Sequence, residues 1–165
     1  MDGFPEGSLG EGWAPIIGEI SEGHLINILA SPPGAPIFLC SDGGDTGVGR
    51  ALADLVRLRR VVAAGACASA AIPLLAAGRE RQCLSATKFL WHEPYLEPDG
   101  SQGVGDLTVA RDDIQSYFDW ANRLLGRRTK KSPRFWANLG AGAGTLFSSG
   151  EAQEWGLVEK VVRRL

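Results

Sequence analysis

The chain has 165 residues, of which 44% are hydrophobic and 22% charged, with a formal net charge of −2. That is enough chain for one buried core without covalent staples, and the charge balance offers no electrostatic footprint for nucleic acid or an anionic membrane. Cys40, Cys67 and Cys83 are odd in number and widely spaced, so neither a disulfide framework nor a metal site is indicated, and a reducing compartment is expected.

The start, Met1-Asp2-Gly3-Phe4-Pro5-Glu6-Gly7, lacks the basic and apolar regions of a signal peptide, so a cytoplasmic location is expected. Residues 1–15 are rich in Gly, Pro and Glu and read as a loose N-terminal arm on a single domain spanning 1–165. Ile16 to Ile20 reads as a short strand, and Glu22 to Ala30 as two turns of helix ended by Ser31-Pro32-Pro33-Gly34. His24 lies there without a partner motif and reads as a surface or satisfied histidine. Pro36 to Cys40 is an apolar run of the kind buried on both faces, followed by the turn Ser41-Asp42-Gly43-Gly44-Asp45. From Thr46 to Arg60 the apolar positions follow helical spacing, with Asp45 or Thr46 as the cap and arginines at the end. Strand, glycine turn, helix and strand make a βαβ unit. The turn lacks the lysine of a P-loop. Asp45-Thr46-Gly47 matches the aspartic-protease tripeptide only in letters, since that chemistry needs two such aspartates.

Val61 to Ala64 begins the next strand, a tight turn follows through Gly65-Ala66-Cys67-Ala68-Ser69-Ala70-Ala71, and a helix closes at Gly78. The segment is uncharged but made mostly of Ala and Gly, with Pro73 inside, so no membrane span is expected. Ser69 sits among small side chains near a helix start. Its hydroxyl is either an N-cap or a nucleophile served by helix-start N–H groups, and the local sequence leaves both open. A charged turn, Arg79-Glu80-Arg81, leads to Cys83-Leu84-Ser85-Ala86 and the strand Thr87 to His92. His92, at its end, is one of only two histidines available as a base. A polar loop from Glu93 to Gly105 precedes the longest periodic segment, Leu107 to Leu125. This helix carries more apolar surface, including Tyr117, Phe118 and Trp120, than a small domain is expected to cover, so a second subunit is expected against it. Ser132-Pro133 caps a short helix through Trp136, Leu139 to Gly144 is an Ala/Gly loop, and Ser148 to Glu151 is a capping box before a turn from Ala152 to Trp155. A final strand covers Leu157 to Val162.

Taken together, these pieces resemble the ClpP family of serine peptidases, within the ClpP and crotonase superfamily, in a compact or phage-type branch. The paired glycines through Gly44, the Gly65 to Gly78 turn and helix, the Cys83 to Pro94 block with its His-Glu-Pro end, and Glu151 to Val158 carry the resemblance in the family's order. It implies an α/β fold of stacked βαβ units with a long helix after the histidine strand. It also implies Ser69 as nucleophile, His92 as base, and an oxyanion held by the Gly44 and Ala70 N–H groups. No cofactor or metal is implied. The implied protein is an endopeptidase in a self-compartmentalising ring, homo-oligomeric or mixed, receiving unfolded chains from an AAA+ ATPase. The alternative is a weak or inactive homologue that supports an active ring. Acyl-CoA chemistry of the crotonase kind finds no recognisable nucleotide site. Three departures stand out: Asp42 replaces the family's proline before the glycines, residues 1–17 show no counterpart of its N-terminal helix, and no Asp or Glu occurs from Asn138 to Gly150, where its acid falls.

Overall fold

The computed structural model describes residues 12–95 and 104–164. Strand β1 (Ala14–Ile17), helix α1 (Glu22–Ala30), β2 (Ile37–Ser41), α2 (Thr46–Leu55), β3 (Arg60–Ala68), α3 (Ala71–Ala77) and β4 (Glu80–Leu84) form successive parallel βαβ units. After them come β5 (Lys88–Trp91), α4 (Val104–Arg128), α5 (Pro133–Gly140), β6 (Thr145–Ser148), α6 (Ser149–Glu154) and β7 (Lys160–Val162). The sheet runs β1-β2-β3-β4-β7, and β5 joins β3 beside β4, with β6 antiparallel on β5. This is the expected α/β fold.

The length of β3 is what makes the site. Its first half, Arg60 to Ala63, pairs with β4, and its second half, Ala66 to Ala68, pairs with β5. The tight turn expected from Gly65 onward is instead strand as far as Ala68, and it delivers the chain to Ser69 beside the end of β5. Helix α3 is buried along its whole length from Ala71 to Ala77. Helices α2 and α4 both pack on it.

Several boundaries differ from expectation. β1 begins at Ala14, inside the segment read as an arm, and Ala14 pairs with Ile37. α2 stops at Leu55 because Val56 and Arg59 fold into a turn, with Arg59 N–H donating to the Val56 carbonyl at 2.8 Å. The arginines therefore do not close that helix. Arg59 instead binds the Ser31 hydroxyl and Ile28 carbonyl, and Arg60 lies 5.2 Å over the Trp13 ring. β4 starts at Glu80, within the expected charged turn, α4 and α5 are longer than read, and β6 occupies part of the stretch left without an element. The capping box between Ser148 and Glu151 is present.

Helix α4 also departs from expectation. Tyr117, Phe118, Ala121 and Leu125 are buried within this one chain, and Trp120 and Leu124 are partly buried against the core. The apolar face that seemed to require a second subunit is largely covered by the chain's own α2, α3 and α5.

Candidate active site

Ser69 directly follows β3 with φ 51°, the one non-glycine residue with positive φ among the described residues. A serine held there carries strain of about 1–3 kcal/mol, which persists only where the surroundings impose it. The surroundings are identifiable. Its N–H donates to the Leu90 carbonyl of β5 at 2.9 Å, and its carbonyl accepts from Ile72 N–H at 3.0 Å. Both backbone groups of Ser69 are thus fixed by neighbours on either side. The cap position of α3 is Ala70, and no side chain caps the helix, so the Ser69 hydroxyl is not consumed as an N-cap.

The glycine turn after β2 presses on this corner. A Cβ on Gly43 would lie 2.6 Å from Ser69 Cβ and 3.1 Å from its Oγ, so only glycine lets the turn approach the hydroxyl. The Gly43 N–H donates to Ser41 Oγ at 3.1 Å, and its carbonyl accepts from Ile20 N–H at 2.7 Å. The Asp45 N–H donates to the Ile20 carbonyl at 3.0 Å. Ile20 and Gly44 form an isolated parallel bridge that anchors the turn to the chain leaving β1. Among the described residues no group accepts from the Gly44 or Ala70 N–H. Gly44 lines the cleft with Ser69, whereas Ala70 follows Ser69 in the chain and is fully buried, so of the two expected oxyanion donors Gly44 is the one at the cleft wall.

His92 follows β5 directly. That strand is fixed by Trp91, whose Nε1–H donates to the Trp136 carbonyl at 2.9 Å and whose ring stacks on Phe118 at 5.6 Å. The His92 Nδ1 lies 2.7 Å from the Glu93 carbonyl oxygen. A carbonyl can only accept, so Nδ1 carries the proton and Nε2 is left as the basic nitrogen. The Tyr95 ring lies 5.8 Å from the imidazole. Gly144 packs on the other side, where a Cβ would run into His92 and the Trp91 carbonyl, and Glu93 N–H donates to the Gly140 carbonyl at 2.7 Å. The Ala/Gly loop thus backs the histidine with backbone, in the stretch where a carboxylate was missing from the sequence.

Ser69 and His92 line one open cleft of about 410 Å³ together with Glu19, Asp42, Gly44 and Tyr95. No hydrogen bond joins the Ser69 hydroxyl to the imidazole. Asn138 contributes only its carbonyl, to Ala141 N–H, and does not bond the imidazole. Asp99, and the side chain of Asp106, lie outside the described residues. The sequence reading missed Gly43 as the contact of Ser69, Ser41 as the anchor of the turn and Gly144 as the backing of His92. The glycine pair signals the first two, and the Ala/Gly loop from Leu139 to Gly144 the third.

Other candidates resolve as structure. Asp45 Oδ1 accepts from Val48 N–H at 2.8 Å, so Asp45-Thr46-Gly47 is a helix cap. His24 accepts from Ser21 N–H and lies 3.2 Å from the Ile17 carbonyl, as a satisfied histidine should. Burial pushes the Cys67 thiol well above its ordinary value and Cys83 up to about 11, so neither is a ready thiolate. Among the described residues no cluster of His, Cys, Asp and Glu could hold a metal ion, and no helix is long and apolar enough to cross a membrane.

Comparison with known proteins bears on the family and the fold. The chain is 33% identical over 105 residues to the ATP-dependent Clp protease proteolytic subunit 1 of Corynebacterium diphtheriae, covering 62% of this chain and 49% of that one. It is 31% identical over 132 residues to the ATP-dependent Clp protease proteolytic subunit 3 of Nocardia farcinica, covering 76% of this chain and 59% of the relative. The chain therefore spans between about half and three-fifths of these relatives' length. A mutant of ClpP1 from Listeria monocytogenes shares the fold, with a TM-score of 0.73 at 22% identity over 93% of this chain and 92% of that one. The Clp protease family model matches residues 25–164, and the chain belongs to the Clp protease family.

Proposed function

We propose that the protein is a serine-type endopeptidase of the Clp kind, with Ser69 as nucleophile and His92 as general base. The observation that carries this reading is the Ser69 corner itself. A strained serine with an uncommitted hydroxyl shares a cleft with a histidine whose Nδ1 is already bonded. In the proposed reaction Nε2 of His92 takes the hydroxyl proton as Oγ attacks a peptide carbonyl. The Gly44 and Ala70 N–H groups receive the oxyanion. His92 then returns the proton to the leaving amine, and water releases the acyl group by the reverse sequence. Ser69 and His92 must draw together on substrate binding, as catalytic hydrogen bonds often do.

The Glu93 carbonyl takes the orienting part of an acid's role. It selects the productive tautomer but supplies no negative charge for the imidazolium. Hydrogen bonds to charged groups are roughly twice as strong as neutral ones, a difference of about 1–1.5 kcal/mol, so the rate deficit is about ten-fold. That is far smaller than the roughly ten-thousand-fold loss seen when the wrong tautomer is imposed. The test is hydrolysis of fluorogenic peptides by wild type, Ser69→Ala and His92→Ala. Slow turnover abolished by either change supports the reading, and turnover that survives both refutes it.

By likeness to the proteolytic subunits it matches, the protein is proposed to act in an oligomeric ring in the cytoplasm, on unfolded polypeptides, with an AAA+ ATPase partner. The second reading is a structural member of a mixed ring. It is favoured by the absence of Asp and Glu from Asn138 to Gly150 and by the lack of a hydrogen bond between Ser69 and His92.

A further inference from the structure

We propose that the cleft selects peptides bearing a lysine or arginine side chain beside the scissile carbonyl, through Glu19 and Asp42. The inference rests on the peptidase reading and specifies its substrate class. Both carboxylates line the cleft that holds Ser69 and His92, and among the described residues no Lys or Arg lines it. Both side chains are exposed, and neither is paired with a cation among the described residues. Asp45, close by in sequence, differs because its carboxylate is committed to capping α2.

Position matters as much as charge. Glu19 Cγ stands 2.9 Å from where a Cβ on Gly44 would be, so this carboxylate begins beside the N–H assigned to the oxyanion. Asp42 immediately precedes the Gly43-Gly44 pair. Two uncompensated negative charges there oppose an oxyanion as it forms, because like charges disfavour each other's ionised state. A cationic substrate side chain removes that opposition and gains attraction to both groups. The rest of the lining agrees. Among the described residues that line this cleft, Pro94 is the only aliphatic one, so the cleft itself gives a leucine little apolar surface. Tyr95, 69% exposed, offers an aromatic face that a cation can lie against.

The experiment uses the full chain and three peptidyl diphenyl phosphonates that differ only in the residue next to phosphorus, which is lysine, norleucine or glutamate. Attack by Ser69 Oγ displaces one phenol and leaves a phosphonyl-serine, read by intact mass. At low salt the lysine reagent is expected to react about ten-fold faster than norleucine, as two exposed charge pairs together allow, and glutamate slower still. The lysine advantage should fall toward unity in about 1 M salt, where the screening length is roughly 3 Å. It should also collapse in the double variant Glu19→Gln, Asp42→Asn. Equal rates for lysine and norleucine, or a ratio unchanged in the double variant, would overturn the selectivity and leave the peptidase reading standing. Absence of any Ser69 adduct with all three reagents would overturn both.

Discussion

Replacing Gly43 with alanine should separate the fit of the site from the stability of the fold. Gly43 has φ +108°, and an added Cβ would lie 2.6 Å from Ser69 Cβ and 3.2 Å from the Ala68 carbonyl. The backbone alone penalises alanine there by about 1–2 kcal/mol. The clash must be relieved by moving the turn or the serine, and a displacement of about 1 Å in a reacting group costs on the order of a hundred-fold in rate. Gly34→Ala is the control, with φ +80° and open space around the new Cβ, on a turn remote from the cleft. It carries the same kind of backbone penalty without the collision. Thermal denaturation and the second-order rate of Ser69 phosphonylation, measured together, distinguish the two effects. Gly34→Ala should lower Tm by about 2–4 °C per kcal/mol and leave the rate unchanged. Gly43→Ala should lower Tm by at least as much and slow phosphonylation about a hundred-fold. A folded Gly43→Ala protein reacting at the wild-type rate would refute the claim that this contact sets the nucleophile.

Three further outcomes are expected. Ser69→Gly should be more stable than Ser69→Ala by about 1 kcal/mol, because glycine relieves the positive φ that alanine keeps; equal Tm values would show the corner to be unstrained. Asp99→Asn and Asp106→Asn should each retain wild-type peptide hydrolysis, since Nδ1 of His92 is already bonded to the Glu93 carbonyl; loss of most activity with either would identify a third triad member. Glu151 is held below the usual carboxylate range by the Ser148 backbone N–H and hydroxyl. Its folded-state value is depressed, so its contribution to stability is complete above the ordinary carboxylate pKa and lost as pH falls through the folded value. Unfolding of Glu151→Gln across acid pH should lack that part of the dependence, and an unchanged profile would exclude the cap's role.

The parts of this fold that were legible in the sequence are those specified locally. The β2 apolar run, the helix from Glu22 to Ala30 and the Ser148-Glu151 capping box are written in adjacent residues, and each was placed within a few positions. What was illegible depends on distant pairing. Gly65 ended the apparent β3 run, yet the strand continues because Ala66, Cys67 and Ala68 find partners in β5, more than twenty residues on. β6 is short and half exposed, with Thr145 to Ser148 matched only by their antiparallel register against β5. Tyr117 and Phe118 looked like an intermolecular surface because nothing local reveals that α4 packs this face on α2, α3 and α5 of the same chain.

The site divides the same way. Ser69, His92 and the glycine pair could be named from residue type and order. That Gly43 touches Ser69, and that a main-chain carbonyl orients His92, follows from contacts between segments and from no residue letter. A backbone acceptor in particular leaves no trace in composition, so a search for a third side chain looks past it.

The most direct test of the central claim is intact-mass analysis after treatment with a fluorophosphonate, with wild type beside Ser69→Ala and peptide mapping of the adduct. The account predicts a single phosphonyl adduct on wild type, located at Ser69, and none on the variant. An adduct on another residue, or equal labelling of the two proteins, would contradict it.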